Sequence, residues 1–135
     1  MHKFSTYFLL LFISLLTLST NAYSQDIVSM FKRVKPSVVT VISYNAFDLE
    51  DGTGSGFFID RNRIITNFHV VEGAASVKIR LNDSTEFQVN RMIAKDSVKD
   101  IAILEVDIPA SRKITPLTFR ATVPEQGERV YVVGN

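Results

Sequence analysis

Outside the extreme N-terminus the chain carries a single histidine, His69, in the stretch Ile64-Ile65-Thr66-Asn67-Phe68-His69-Val70-Val71-Glu72-Gly73. There a β-branched run gives way to a short polar turn. Imidazole is the usual general base for activating a hydroxyl nucleophile, because it titrates near working pH. To act so it needs a carboxylate that fixes its tautomer and supports the imidazolium. Asp96, Asp100 and Asp107 are the candidates. Asp100 stands out because it directly precedes the apolar run Ile101-Ala102-Ile103-Leu104-Glu105-Val106, where a side chain can be held. Taken alone, His69 reads more readily as a partly buried, hydrogen-bonded structural residue, and Asp100 without it as an ordinary strand-edge turn residue.

The elements that must position these two are almost all strands. Residues 37–44, 55–59, 64–67, 76–81, 85–94, 100–106 and 129–134 are β-branched or alternating runs bounded by turn residues. Val77, Ile79 and Leu81 alternate with Lys78 and Arg80, and Phe87, Val89 and Ile93 are spaced for one face. A helix is expected over 26–35, with Asp26 as N-cap and Pro36 as terminator. Residues 48–54 read as an exposed acidic loop, and residues 106–127, with three of the four prolines, as a long surface connection. No helical crossovers interleave the strands, so the pattern predicts an all-β fold, an antiparallel barrel or a sandwich. Phe57, Phe58, Ile65, Val70, Val71, Ile79, Ile101, Ile103 and Leu104 form the expected core. None of them calls for a cofactor.

Composition narrows the function classes. Residues 1–24 read as a signal peptide, with a basic start at Lys3, an apolar centre over 7–18, and Ala22 and Ser24 at the small positions before cleavage. A run of twelve residues is short for a permanent membrane span, so the membrane is involved only through that signal, a retained anchor being the alternative. Residues 25–135 then carry 14 basic and 14 acidic side chains, a balance that gives no electrostatic case for nucleic acid. The absence of cysteine removes disulfides, thiolate nucleophiles and thiolate metal sites, and one remaining histidine offers no zinc spacing.

Taken together, the segments bear a resemblance. Val34-Lys35-Pro36-Ser37-Val38-Val39, the Gly52 to Gly56 strand start, Thr66 to Val71, Asp96 to Leu104, and Gly127-Glu128-Arg129-Val130-Tyr131-Val132-Val133-Gly134-Asn135 occur in order. Their pattern resembles the first half of a trypsin-like serine protease of the HtrA (Deg) type. The resemblance implies an antiparallel Greek-key β-barrel, the first of a two-barrel fold, with the general base at His69 and the orienting carboxylate at Asp100. It also implies polypeptide substrates, a periplasmic or secreted location and possible homo-trimers. Asp96 matches a turn position of the family, and Asn67, beside the histidine, is expected to satisfy backbone groups in the turn.

The departure from the family pattern is equally plain. The Gly-Asn-Ser-Gly-Gly or Gly-Asp-Ser-Gly-Gly turn that carries the family's nucleophile is not in the sequence. Ser55 is a poor substitute, because a nucleophile elbow needs a strand-to-helix turn whereas Phe57-Phe58-Ile59 continues as strand. Gly54 and Gly56 instead suggest close strand packing or a bulge. The sequence stops at Gly134-Asn135 directly after an apolar run, which reads as an interrupted domain, residues 25–135 being a first barrel without its second. The expectation is a serine endopeptidase whose 135 residues alone are inactive. The alternative is a non-catalytic, peptide- or partner-binding module derived from such a protease.

Overall fold

A computed structural model of the protein describes residues 21–134. The expected signal segment 1–24 therefore lies, apart from residues 21–24, outside the described residues. The chain divides into two compact units, one ending at Arg33 and the other beginning at Val34.

In the first unit, helix α1 spans Asn21–Val34. Asp26, expected as its cap, lies inside it, since nothing between Asn21 and Asp26 breaks a helix. Lys32 and Arg33 in its last turn complement the helix dipole, and Ile27, Val28 and Phe31 remain about half exposed. No helix among the described residues is long and apolar enough to cross a membrane.

The second unit opens with a 3-10 turn at Lys35–Ser37, where Pro36 fits the first positions that need no N–H donor. Six strands follow: β1 Val38–Tyr44, β2 Glu50–Phe58, β3 Arg63–Thr66, β4 Ser76–Arg80, β5 Glu86–Asp96 and β6 Ile101–Val106. A four-residue helix, α2 (Phe68–Val71), lies between β3 and β4. All pairings are antiparallel, and the order β1-β2-β3-β6-β5-β4 closes through β4 back to β1. Strands β4, β5 and β6 form a meander whose last member returns to lie beside β3, which is a Greek-key connection.

Closure explains what the sequence pattern misplaced. Residues 129–134 were expected as a strand, but they take no regular structure and leave Val130 and Val132 exposed. A barrel closed by six strands has no free edge to pair a seventh. Residues 50–54, expected in a loop, are instead the first half of β2, paired with β1 through Tyr44↔Glu50 and Ser43↔Gly52 around a bulge. The true loop is residues 45–49. There Asn45 Oδ1 accepts the N–H groups of Phe47 and Leu49, and Asp48 adopts φ +60°.

The core is the barrel interior. Val39, Val41, Phe58, Ile64, Ile79, Leu104 and Val106 are essentially fully buried. Four of the expected core residues lie on the other face: Phe57, Ile65 and Ile103 are half-buried and Ile101 is partly exposed, while Ile64, Ala102, Leu104 and Val106 point inward. Apolar side chains on both faces of β2, β3 and β6 hide the period-2 signal that would have assigned them. Ile93 likewise falls outside the core, because register shifts between Val89 and Arg91 and between Met92 and Ala94 reset the alternation of β5.

The segment after β6 is strapped to the barrel by side chains. Arg61 donates to the carbonyls of Pro109 (2.6 Å) and Arg112 (3.1 Å), Leu117 N–H donates to Phe58 O (2.8 Å), and the Ser37 hydroxyl donates to Thr115 O. Inside the barrel, Gly56 is placed where a Cβ would come within 2.9 Å of side-chain carbons of both Ile64 and Val41. Gly56→Ala should therefore overpack the interior and cost about 1–3 kcal/mol, read as a lower denaturant midpoint. An unchanged midpoint would contradict this account of the packing.

Candidate functional site

His69 owes its position to the residues around it. Phe68, Val70 and Val71 are buried and pin α2 to the barrel, leaving His69 as its outward residue. Val70 seats directly over Gly54, where a Cβ would meet its methyl carbon at 2.5 Å, so only glycine lets β2 approach this helix. The chain enters α2 from β3, whose last residue, Thr66, donates its hydroxyl to Ser55 O at 2.9 Å.

Asp100 arrives from the adjacent strand. The pairing of β3 with β6 runs from Arg63↔Glu105 to Thr66↔Ala102, so the residue before β6 lies beside the residues after β3. That neighbourhood removes a separation of 31 residues in sequence. The turn leading to Asp100 is fixed by Asp96, whose Oδ1 accepts the N–H groups of Val98 (3.1 Å) and Lys99 (3.0 Å). Asp100 itself adopts φ +54°, a left-handed conformation that Asp tolerates better than most residues.

The two side chains meet at two points. His69 Nδ1 lies 2.6 Å from Asp100 Oδ2, and the His69 backbone N–H donates to Oδ1 at 2.8 Å. Asn67 adds its side-chain amide, donating to Asp100 Oδ2 (3.1 Å) and to the Asp100 carbonyl (3.2 Å). The His69 side chain is 69% exposed and that of Asp100 40%. The carboxylate is thus half sheltered behind the ring while the ring's far edge faces solvent. The Asp100 carboxyl is held below the usual aspartate range, first by the His69 backbone N–H, then by the imidazole, with desolvation opposing them. An ionised carboxylate at Nδ1 places the ring proton there and leaves Nε2 as an outward-facing acceptor, the form a general base needs.

The other sequence candidates fall elsewhere. Asp107 follows the opposite end of β6, a strand length away, and Asp96 serves the turn. Ser55 lies in the middle of β2, opposite Thr40, where its own chain runs on as strand and makes no elbow, although it lines the same groove as Asp100. Asn67 was expected to satisfy backbone groups in its own turn; it instead reaches across to donate to the Asp100 carbonyl, 33 residues away, and makes no cap bond. Its bond to the carboxylate had no signal in the sequence, since an Asn before a short helix reads as a local cap. Beside Asp100, the outward side chains of Phe57, Ile65 and Ile101, together with Phe119, line an apolar groove of about 320 Å3.

A closed Greek-key barrel bearing an imidazole–carboxylate pair on its rim defines a trypsin-like β-barrel. Residues 54–135 match the family described as trypsin-like peptidase domain. The chain is 33% identical over 119 residues to Protease Do-like 1, chloroplastic, of Arabidopsis thaliana, covering 80% of this chain and 27% of that protein. It is 31% identical over 112 residues to the serine endoprotease DegS of Escherichia coli (strain K12), covering 77% and 31%. It is 38% identical over 84 residues to "Probable periplasmic serine endoprotease DegP-like" of Rhizobium meliloti, covering 61% and 16%. The chain belongs to the trypsin-like peptidase family, is similar to these Do-like and Deg proteases, and matches less than a third of their length.

The depressed Asp100 carboxyl gives a signed pH effect. A group whose folded pKa lies below its unfolded value stabilises the protein above the unfolded pKa and loses that stabilisation as pH falls through the folded one. Asp100→Asn should therefore be less stable than the parent near neutral pH, with the difference closing as pH falls below the ordinary aspartate range, as denaturant melts at falling pH would show. A difference that does not vary with pH would mean the carboxylate charge is not what the site holds.

Proposed function

We propose that this chain forms the first barrel of an exported, HtrA-type serine endopeptidase acting on unfolded or exposed segments of polypeptide. The observation that carries the reading is the 2.6 Å contact of His69 Nδ1 with Asp100 Oδ2, in a geometry that turns Nε2 outward. His69 would take the proton of a serine hydroxyl as that oxygen bonds to the scissile carbonyl carbon. It would then return the proton to the leaving amine as the C–N bond breaks. Water would repeat the cycle on the acyl-serine, delivering the carboxylic acid product and the free hydroxyl. Asp100 would hold the ring and offset the charge of the imidazolium without itself accepting the proton.

The nucleophile and the oxyanion donors would come from residues outside these 135, since the sequence contains no Gly-Asn-Ser-Gly-Gly or Gly-Asp-Ser-Gly-Gly turn. By this reading residues 1–24 are an export signal and residues 25–135 the barrel that presents base and carboxylate. The 135 residues on their own would be inactive, because a base without a nucleophile or oxyanion donors lowers the barrier little. The apolar groove beside Asp100 would then be covered in the whole enzyme.

The test uses the full-length protein and an unfolded polypeptide such as reduced casein. His69→Ala should lower kcat/KM by on the order of 10⁴-fold or more while leaving the melting temperature near that of the parent. Full activity in that variant would remove His69 from the chemistry. An inactive full-length parent would favour the binding-module alternative.

A further inference from the structure

Asn67 occupies the N-cap of α2, where an Asn side chain ordinarily turns back to accept an N–H of the helix's first turn. Here it makes no cap hydrogen bond. The N–H of His69, one of those it would serve, is taken by Asp100 Oδ1 at 2.8 Å, from a different strand. The Asn67 side chain points the other way, and both of its partners, Asp100 O and Oδ2, are acceptors. It therefore works as a donor, not as a cap.

Its place in the fold gives that donor a purpose. The β3–β6 ladder ends at Thr66↔Ala102, because the chain after Thr66 turns into α2. Asn67 extends the cross-link one step further with a side chain, and does so at the residue whose backbone sits at φ +54°. We infer that Asn67 is a positioning residue: its amide clamps the left-handed Asp100 peptide and its carboxylate so that Oδ2 stays on His69 Nδ1. The titratable group facing that carboxylate is His69, while Lys99, next in the chain, is engaged with Asp96.

The inference rests on the proposed peptidase activity only for its kinetic arm. Two variants of the full-length protein separate donor from cap. Asp is as good an N-cap as Asn and has its shape, but as a carboxylate it cannot donate. A capping role thus predicts that Asn67→Asp behaves like the parent, whereas the clamp predicts that it is the worse of the two variants. The Asp100 carboxyl titration, followed by carbon NMR, should move upward in Asn67→Ala and further upward in Asn67→Asp. Over the same variants kcat should fall roughly ten- to a hundredfold with KM changed by less than about twofold, as for a misplaced catalytic group. Asp100 titrating in Asn67→Ala as in the parent, or parent-like kcat in Asn67→Asp, would overturn the inference. If the parent cleaves nothing yet the titration moves as stated, the peptidase reading fails and the clamp stands.

Discussion

The two-point grip of the Asp100 carboxylate on His69 is the contact that the surrounding structure serves. One oxygen takes the backbone N–H and the other faces Nδ1, so the same anion fixes both where the residue sits and which way its ring turns. A single bond would leave the ring free to swivel about its side-chain torsions. A backbone and a side-chain contact to one carboxylate leave little such freedom. The grip also keeps the acid ionised, since both donors favour the charged form.

That contact depends on topology before it depends on any side chain. Two residues 31 apart become neighbours because the returning strand of the meander pairs with β3, and the pairing ends where both loops leave the barrel rim. Closure then makes the rim rigid: each strand has a partner on both sides, and the interior is filled by aliphatic side chains and Phe58. The glycines of β2 are part of the same arrangement. Gly54 admits Val70 and hence α2, and Gly56 admits Val41 and Ile64. The outward face of β2, β3 and β6 is apolar as well, and it runs up to Asp100 in the groove lined by Phe57, Ile65, Ile101 and Phe119.

Much of this was legible in the sequence, and the rest has identifiable physical reasons for being hidden. The all-β class followed from strand grammar without helical crossovers; His69 and Asp100 stood out by residue type and by the run that follows Asp100, but it was the family resemblance that paired them. The inward set was harder to read, because strands apolar on both faces carry no alternation. Ile101 and Ile103 therefore looked as interior as Leu104. The run at 129–134 has strand composition but no edge to join, a fact of closure that no local window contains. Glu50 to Gly54 looked like a loop because its glycines and acids are poor strand formers, yet its pairing with β1 fixes it as strand. Asn67 was half legible: its type announced a hydrogen-bonding role at a helix start, but its direction was set by a strand arriving from 33 residues away.

The most direct test of the central contact is the tautomer of the neutral His69 ring, read from long-range proton–nitrogen correlation NMR. The structure predicts that the neutral ring carries its proton at Nδ1 and leaves Nε2 bare, with a shift toward the Nε2-protonated tautomer in Asp100→Asn. A parent protein already protonated at Nε2, with a ring indifferent to Asp100, would contradict the account.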